Sequence, residues 1–286
     1  MSERSIAEAL GAASARLAAA GRETPRLDAE VLLRHVLGVD RAGLFVRLRE
    51  PLPVMAWATY EDLVTRRLAG EPVAYLTGVR EFMGLDFAVR PGVLVPRPET
   101  ELLVEWALGW LGQRSAGIVL DVGTGSGAIA VGVAAHLPPD WEGRIIASDV
   151  STGALAVAAA NCDRHGVRDR VRFVRGDLAT WCGGPVGLLL ANLPYLRPDQ
   201  VEGNADLRPE PVLALLGGAD GLDLIRRLIG DAPRVLAPGG ALALEIDPSQ
   251  AEIVAGLVSA ALPDAAVEIL PDLVGLARYV VARRRS

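Results

Sequence analysis

The chain has 286 residues, 51% of them hydrophobic, which suits one large or two modest domains and excludes a disordered chain. Its formal net charge is −6, and an acidic protein is a poor non-specific binder of nucleic acid because phosphate binding needs a basic surface. Composition therefore favours a globular protein with a sizeable core and no broad nucleic-acid interface.

The first part of the chain has the apolar periodicity of helices. Apolar residues recur every three or four positions at Ile6, Leu10, Ala13 and Leu17. A later helix is predicted at Val54–Leu68, and strand-like alternation is absent from the whole region. We therefore predict a small all-helical domain over residues 1–74.

Residues 75–98 have a β-leaning pattern instead. Two runs, 81–90 and 93–95, flank the dipeptide Pro91-Gly92, which favours a turn. We predict a β-hairpin linker that turns at Pro91-Gly92 and joins the helical domain to the rest of the chain.

From residue 99 to residue 286, short apolar strands alternate with amphipathic helices. This alternation predicts an α/β fold with a doubly wound, mostly parallel sheet that is covered by helices on both faces. No helix separates the last two strands, so we expect an antiparallel pair at one edge. The seven predicted strands are 118–121, 144–149, 171–175, 186–191, 241–246, 266–270 and 277–282.

A glycine-rich loop follows the first strand of this sheet, where doubly wound folds bind their ligands. Its alternate glycines allow close approach of a ligand, and they also satisfy the dinucleotide fingerprint, so a nicotinamide cofactor stays open. The position of the third glycine and the acid that ends the strand favour S-adenosylmethionine, whose amino group the acid can face. The candidate cofactor-binding residues of the loop are Asp121, Gly123, Thr124, Gly125, Ser126 and Gly127.

Acidic residues also end the next two strands. Asp149 stands where a carboxylate can accept hydrogen bonds from both ribose hydroxyls, although it could instead cap the following helix. Asp177 can accept a hydrogen bond from an adenine amino group while Leu178 packs on the ring; the alternative is a surface turn. All three residues are candidates for cofactor binding.

The motif Asn192-Leu193-Pro194-Tyr195 follows the very apolar fourth strand. The Asn192 oxygen and the Leu193 carbonyl can accept the two hydrogens of a planar NH₂ group, while Pro194 stiffens the turn and Tyr195 can pack against the plane. The alternative is an ordinary turn, since Asn and Pro are turn residues. We predict that these four residues bind the acceptor and direct catalysis, and that Asn192 also contacts the cofactor.

Three further segments resemble the release factor glutamine methyltransferase (PrmC/HemK) family in order and position. They are Pro72-Val-Ala-Tyr75-Leu-Thr-Gly78, then Glu81-Phe82-x-Gly84, then Val95-Pro96-Arg97-Pro98-Glu99-Thr100-Glu101. The glycine loop, the Asn-x-Pro-Tyr motif, Glu245-Ile246 and Asp272-Leu-Val-Gly275 also stand where that family has them. The resemblance covers nearly the whole chain and is weakest over the first seventy residues.

The resemblance implies a class I methyltransferase, Rossmann-like fold that uses S-adenosylmethionine and releases S-adenosylhomocysteine. It implies N5 methylation of the glutamine in the Gly-Gly-Gln motif of peptide chain release factors, gripped in part by the helical domain. Arg97 and Glu99 are expected to contact this protein substrate. The family usually has Asn-Pro-Pro-Tyr, and here Leu193 replaces the first Pro.

Other functions remain open at this point. Asn-Leu-Pro-Tyr also occurs in adenine dimethyltransferases that act on ribosomal RNA, so an N6-adenine methyltransferase is the main alternative. An oxidoreductase and a non-catalytic adaptor are weaker ones. The start of the chain lacks the pattern of a signal peptide, and its two cysteines form no metal-binding motif, so we expect a cytoplasmic monomer without a metal, a membrane contact or a need for nucleic acid.

Overall fold

The computed structural model describes residues 4–114 and 117–286 and divides into two compact units. The first unit runs up to Val79 and also includes Ala205–Pro209. The second comprises Arg80–Asn204 and Glu210–Ser286.

The first unit is all-helical, as predicted. Ser5 begins it with a capping box, in which its hydroxyl accepts from the Glu8 N–H and its own N–H donates to the Glu8 carboxylate. Its core is built around Tyr60, whose hydroxyl donates to the Ala29 carbonyl at 3.0 Å. The helices are α1 (Ile6–Ala19), α2 (Pro25–Leu37), α3 (Arg41–Val46), α4 (Val54–Leu68) and α5 (Val73–Thr77).

A partly buried ion cluster connects Ala205–Pro209 to the helices of the first unit. The Arg67 guanidinium donates to Asp28 at 2.7 Å and to Asp206 at 3.1 Å, and Arg22 also pairs with Asp206. Because Arg67 and Asp28 are both buried, each charge needs the other for compensation.

A hairpin begins at Val79, the last residue of the first unit before Arg80, and its turn was predicted at the wrong place. Strands β1 (Val79–Phe82) and β2 (Leu85–Ala88) are joined at Met83-Gly84, not at Pro91-Gly92. Met83 and Gly84 have φ of 54° and 71°, the left-handed pair that a tight hairpin turn requires and that proline cannot adopt. The Met83 N–H donates to Glu101 at 2.9 Å, which offsets part of the strain at this non-glycine residue.

A seven-stranded sheet forms the centre of the second unit. Its strands are β3 (Ile118–Val122), β4 (Arg144–Asp149), β5 (Val171–Arg175), β6 (Val186–Ala191), β7 (Leu236–Glu245), β8 (Ala265–Pro271) and β9 (Ala277–Arg284). They lie in the order β5-β4-β3-β6-β7-β9-β8, and only β9 runs against the others. The predicted fold and the antiparallel edge pair are confirmed.

Helices cover both faces of the sheet because neighbouring residues of each strand point to opposite sides. Val119 of β3 faces one core and Leu120 the other. The covering helices are α6 (Glu99–Leu111), α7 (Ala128–His136) and α8 (Thr152–Arg164) on one side and α10 (Asp223–Val235) and α11 (Ala251–Ala261) on the other; the short α9 (Pro198–Glu202) lies between β6 and α10 along the chain. Across the described residues, no helix is long and apolar enough to cross a membrane.

The parallel register places four strand ends at one edge of the sheet. Val122 of β3 pairs with Ser148 on one side and with Ala191 on the other, and Ala191 pairs with Leu244 of β7. The residues that follow these positions therefore meet at this edge, where ligands of doubly wound folds bind.

Candidate active site

A cavity of about 590 Å³ opens at the carboxyl edge of the sheet, within the second unit. Loops after β3, β4, β5 and β6 contribute most of its wall, so it lies where the sequence predicted a ligand. Of the predicted residues, the wall contains Gly123, Gly125, Asp149, Asp177, Leu178, Asn192, Leu193 and Pro194.

The three glycines of the loop after β3 all have positive φ, but they serve different ends. Gly123 and Gly125, with φ of 74° and 56°, line the cavity. Gly127 does not line it. A Cβ at Gly127 would lie 3.0 Å from the Ala158 Cβ, so its missing side chain lets α7 pack closely on α8.

Asp121 is fully buried and does not line the cavity. Its Oδ2 accepts from the Thr124 hydroxyl at 2.6 Å and from the Ala130 N–H at 3.1 Å. Its Oδ1 has no hydrogen-bond partner among the described residues. Burial raises the pKa of this carboxyl to about 7, against the lowering effect of the two hydrogen bonds. Asp121 therefore shapes the loop from beneath.

Thr124 and Ser126 are buried like Asp121 and lie outside the cavity wall. The Ser126 carbonyl accepts from the Asn161 amide at 2.9 Å. Asn161 also exchanges hydrogen bonds with the main chain of Ala88 at the end of the hairpin. This buried amide, which the sequence did not single out, joins the hairpin to the glycine loop.

Asp149 lies at the end of β4, and both of its oxygens are already oriented. Oδ2 accepts from the Gly125 N–H at 3.0 Å, and Oδ1 accepts from the Ser151 N–H at 2.8 Å. The helix cap that was the alternative role for Asp149 belongs to Ser151, whose hydroxyl accepts from Ala154. The Asp149 carboxylate thus faces the cavity with a fixed orientation.

Asp177 and Leu178 lie at the end of β5. Asp177 is exposed and pairs with Arg227 of α10 at 2.5 Å, and all three residues line the cavity. Leu178 is buried with φ of 49°, which turns the chain sharply at the wall. No local pattern in the sequence points to Arg227, because it lies 50 residues after its partner Asp177.

A chain of hydrogen bonds leads from Asn192 into the core. The Asn192 Nδ2 donates to the Thr100 hydroxyl at 3.0 Å, and that hydroxyl donates to Glu245 Oε2 at 2.7 Å. The Tyr195 hydroxyl approaches the other Glu245 oxygen at 3.4 Å. Burial raises the pKa of Glu245 to about 7. The sequence assigned no role to Thr100 or Glu245.

The other three residues of the motif have distinct surroundings. The Leu193 side chain is buried and lies 3.1 Å from the place a Gly123 Cβ would occupy, so the glycine leaves room for the leucine side chain to pack closely against the loop. Pro194 lines the cavity with Leu193. Tyr195 lies behind this wall; its carbonyl accepts from the Gln250 amide at 3.0 Å, and burial raises the pKa of its phenol.

Arg97 and Glu99 do not line the cavity. Arg97 forms an ion pair with Glu210, whose other oxygen accepts from the Val95 N–H at 3.0 Å. The Glu99 carbonyl accepts from the Tyr279 hydroxyl, while its side chain points to solvent in the first turn of α6. Their expected contact with a protein substrate remains a prediction.

Parts of the wall come from residues that the sequence analysis did not name as ligand contacts. They follow the hairpin and the Asn-Leu-Pro-Tyr motif, where irregular loops carry no recognisable ligand pattern. These wall residues are Gly92, Val93, Leu94, Pro211, Leu213 and Ala214.

Comparison with known proteins identifies the family. The chain is 44% identical over 283 residues to the release factor glutamine methyltransferase of Moorella thermoacetica, covering 98% of this chain and 99% of the relative. It is 41% identical to the enzyme of the same name from Deinococcus radiodurans, covering 98% of each chain. The chain belongs to the release factor glutamine methyltransferase family.

Two family models match the chain, and a solved structure has a similar fold. The model described as PrmC N-terminal domain matches residues 8–78, and the one described as methyltransferase domain matches residues 119–201. A solved methyltransferase from Pyrococcus furiosus has a TM-score of 0.50 at 20% identity, covering 71% of this chain and 90% of that chain. This last likeness concerns the fold alone.

Leu193 stands where the family resemblance implies a proline. The departure is accommodated because the leucine side chain packs over Gly123, in the same core cluster as Val122 and Leu178. The main-chain carbonyl, which is the group expected to bind the acceptor, does not depend on the side chain.

Proposed function

We propose that this chain transfers the methyl group of S-adenosylmethionine to N5 of the glutamine in the Gly-Gly-Gln motif of peptide chain release factors. The observation that carries the proposal is the orientation of Asn192. Its nitrogen is held by Thr100, which leaves its oxygen to accept a hydrogen bond at the cavity wall. Membership of the release factor glutamine methyltransferase family supports the same reaction.

The residues around the cavity fit S-adenosylmethionine. Its volume of about 590 Å³ lies within the range of small-molecule sites. Each Asp149 oxygen accepts one main-chain hydrogen bond and keeps a lone pair for a ribose hydroxyl. Gly123 and Gly125 leave room for the donor beside the main chain.

The remaining predicted cofactor residues divide into two groups. Asp177 and Leu178 line the wall, and we assign them to the adenine, with Asp177 oriented by Arg227. Asp121, Thr124, Ser126 and Gly127 are away from the wall, and we assign them to the shape of the loop. Asn192 lies between the two ligands and is the residue that we expect both to contact.

The chemistry explains the need for two oriented acceptors. An amide nitrogen is a weak nucleophile because its lone pair is delocalised into the carbonyl. The Asn192 oxygen and the Leu193 carbonyl accept its two hydrogens, orient its nitrogen, and favour the positive charge that develops there. When bound, the donor supplies a methyl group on a sulfonium, which leaves as a thioether, and the amide nitrogen then loses a proton to water.

The proposed substrate also defines the partner and the place of action. A release factor is the protein that would bind, and the helical first unit is the part of the chain that we expect to help grip it. Because release factors act in translation termination, we place the reaction in the cytoplasm. We expect a monomer that needs neither nucleic acid nor a membrane.

A labelling experiment tests the proposal. The protein is incubated with methyl-labelled S-adenosylmethionine and a release factor, its Gly-Gly-Gln variant Gln→Ala, or bulk RNA or DNA. We expect label only in the unaltered release factor. Label that survives the Gln→Ala change contradicts the proposed acceptor, and label in nucleic acid favours the N6-adenine alternative.

A further inference from the structure

Glu245 is a buried acid close to the acceptor motif. It does not line the cavity and is not exposed to solvent. It ends β7, is 1% exposed, and receives the Thr100 hydroxyl on one oxygen and approaches the Tyr195 hydroxyl with the other. Two parts of the acceptor motif, Asn192 and Tyr195, are therefore connected to one buried carboxylate. Since burial of a charged group is costly, the arrangement calls for an explanation.

The direction of the hydrogen bonds follows from the chemistry of the three groups. An ionised carboxylate only accepts, so Thr100 must use its single hydroxyl hydrogen on Glu245. The Thr100 oxygen is then left only with lone pairs and selects the NH₂ end of the Asn192 amide. The Asn192 oxygen must consequently point the other way.

We propose that Thr100 and Glu245 are positioning residues that select one of the two flip states of the Asn192 amide, the state whose oxygen receives the acceptor NH₂ group. This inference rests on the proposed function. The opposite flip would present an NH₂ group to the incoming NH₂ group, so the weakly nucleophilic nitrogen would lose one of its two acceptors. The same carboxylate restrains the Tyr195 hydroxyl.

Protonation of Glu245 reverses the direction of the hydrogen bonds that run from Asn192 through Thr100 to Glu245. The acid would then donate to Thr100, whose hydroxyl hydrogen would be free to donate to the Asn192 oxygen and favour the wrong flip. The charged or titratable groups that act on Glu245 are Glu99 from α6, Arg278 and Tyr279 from β9, and Tyr195 from the loop after β6. Burial and Glu99 favour protonation of Glu245, whereas the hydrogen bonds from Thr100 and Tyr195 and the charge of Arg278 oppose it.

Three variants test this selection: Thr100→Val, Thr100→Ser and Glu245→Gln. Valine has the shape of threonine without the hydroxyl, so Thr100→Val should lower kcat by about tenfold to a hundredfold. Its Kd for S-adenosylmethionine should stay within about threefold, because the donor wall is untouched. Thr100→Ser keeps the hydroxyl and should restore the rate to within about threefold of the wild type.

The pH profile supplies a readout that a merely structural role would not change. The wild-type kcat should fall as the pH is lowered through about 7, because Glu245 takes up a proton there. Glu245→Gln cannot titrate, so its lower rate should not show this acid limb. Asp163→Asn, at an exposed position of α8 outside the site, is the control variant and should keep the acid limb.

The outcomes separate the two proposals. A wild type that labels no glutamine contradicts the proposed function, whatever the variants do. A wild type that labels glutamine, with full kcat in Thr100→Val, overturns the positioning role. If Thr100→Val does not fold, the Glu245→Gln profile decides, and an unchanged acid limb in that variant overturns the proposal.

Discussion

Asp149 accepts a hydrogen bond from the main chain of Gly125, with 3.0 Å between the carboxylate Oδ2 and the nitrogen. The end of β4 and the glycine loop after β3 are thereby held in one arrangement. The geometry explains why an acid some 24 residues after Gly125 belongs to the same ligand site. A carboxylate fixed in this way needs little reorganisation to receive two hydroxyls.

Asp149→Asn should weaken binding of S-adenosylmethionine by at least about tenfold, or about 1.4 kcal/mol. The reason is that the carboxylate has two accepting oxygens, whereas the amide has one oxygen and an NH₂ group that only donates. Asp163→Asn, on an exposed position of α8, is the matched control and should not change the Kd. Titration calorimetry with both variants measures the effect. An unchanged Kd in Asp149→Asn would remove this residue from the donor site.

Asn192→Ala should abolish methyl transfer while the Kd for the donor stays within about tenfold of the wild type. The physical reason is that the alanine removes one of the two acceptors for the glutamine NH₂ group but leaves the glycine loop and Asp149 in place. Single-turnover transfer and donor binding are measured on the same preparation. Full activity in the variant would exclude Asn192 from the mechanism.

Much of the second unit could be predicted because its signals are local. Strands 144–149, 171–175 and 186–191 were predicted at the bounds that the structure has, since each is a short run that turn or acidic residues terminate. The glycine loop and Asn192 were recognisable for the same reason. The hairpin turn was not, because it puts Met83 at positive φ, which a non-glycine residue disfavours.

The contacts that complete the site are not local. Thr100 and Glu245 are separated by 145 residues, and their meeting depends on how α6 packs beside the end of β7. Spacing along the chain carries no information on such a contact. The acid at the end of an apolar strand, Glu245 before Ile246, is the one local feature that could have suggested a buried polar contact at this position.

Gly127→Ala should reduce the free energy of unfolding more than Gly166→Ala. Both positions have positive φ, at 84° and 67°, so both variants incur a backbone cost of about 1–2 kcal/mol. A Cβ at Gly166 meets nothing within 4 Å, whereas one at Gly127 meets Ala158 at 3.0 Å. The overpacking should add about 1–3 kcal/mol, measurable by urea unfolding. Equal losses in the two variants would contradict the close packing of α7 on α8.

Asp121→Asn should gain stability relative to the wild type as the pH rises. The folded-state pKa of Asp121 is raised from 3.8 to about 7, so between these values the folded protein binds the proton more tightly than the unfolded chain does. The contribution of this acid to stability therefore falls as the pH rises through that window. Urea unfolding of both proteins at several pH values measures the difference. A difference that does not change with pH would contradict the raised pKa.

Arg97→Met should destabilise the protein, and a second change should restore part of the loss. The Glu210 side chain is 2% exposed, so removing Arg97 leaves a buried carboxylate without its cation, at a cost of about 1–3 kcal/mol. Glu210→Gln in the same chain removes that charge, and its amide oxygen can still accept from the Val95 N–H. We therefore expect the double variant to be more stable than Arg97→Met alone.

The same double variant separates the two roles of Arg97. If the residue acts by holding Glu210, the KM for the release factor in Arg97→Met/Glu210→Gln should be within about threefold of the wild type, since the chain around Val95 is restored. If Arg97 contacts the substrate, as the family resemblance implies, Arg97→Met should raise the KM for the release factor. The double variant should then keep this raised KM although its stability recovers. Unfolding and steady-state transfer on the four proteins of the cycle decide between them. We expect the second result for the KM, as the family resemblance implies, while the ion pair with Glu210 accounts for the change in stability.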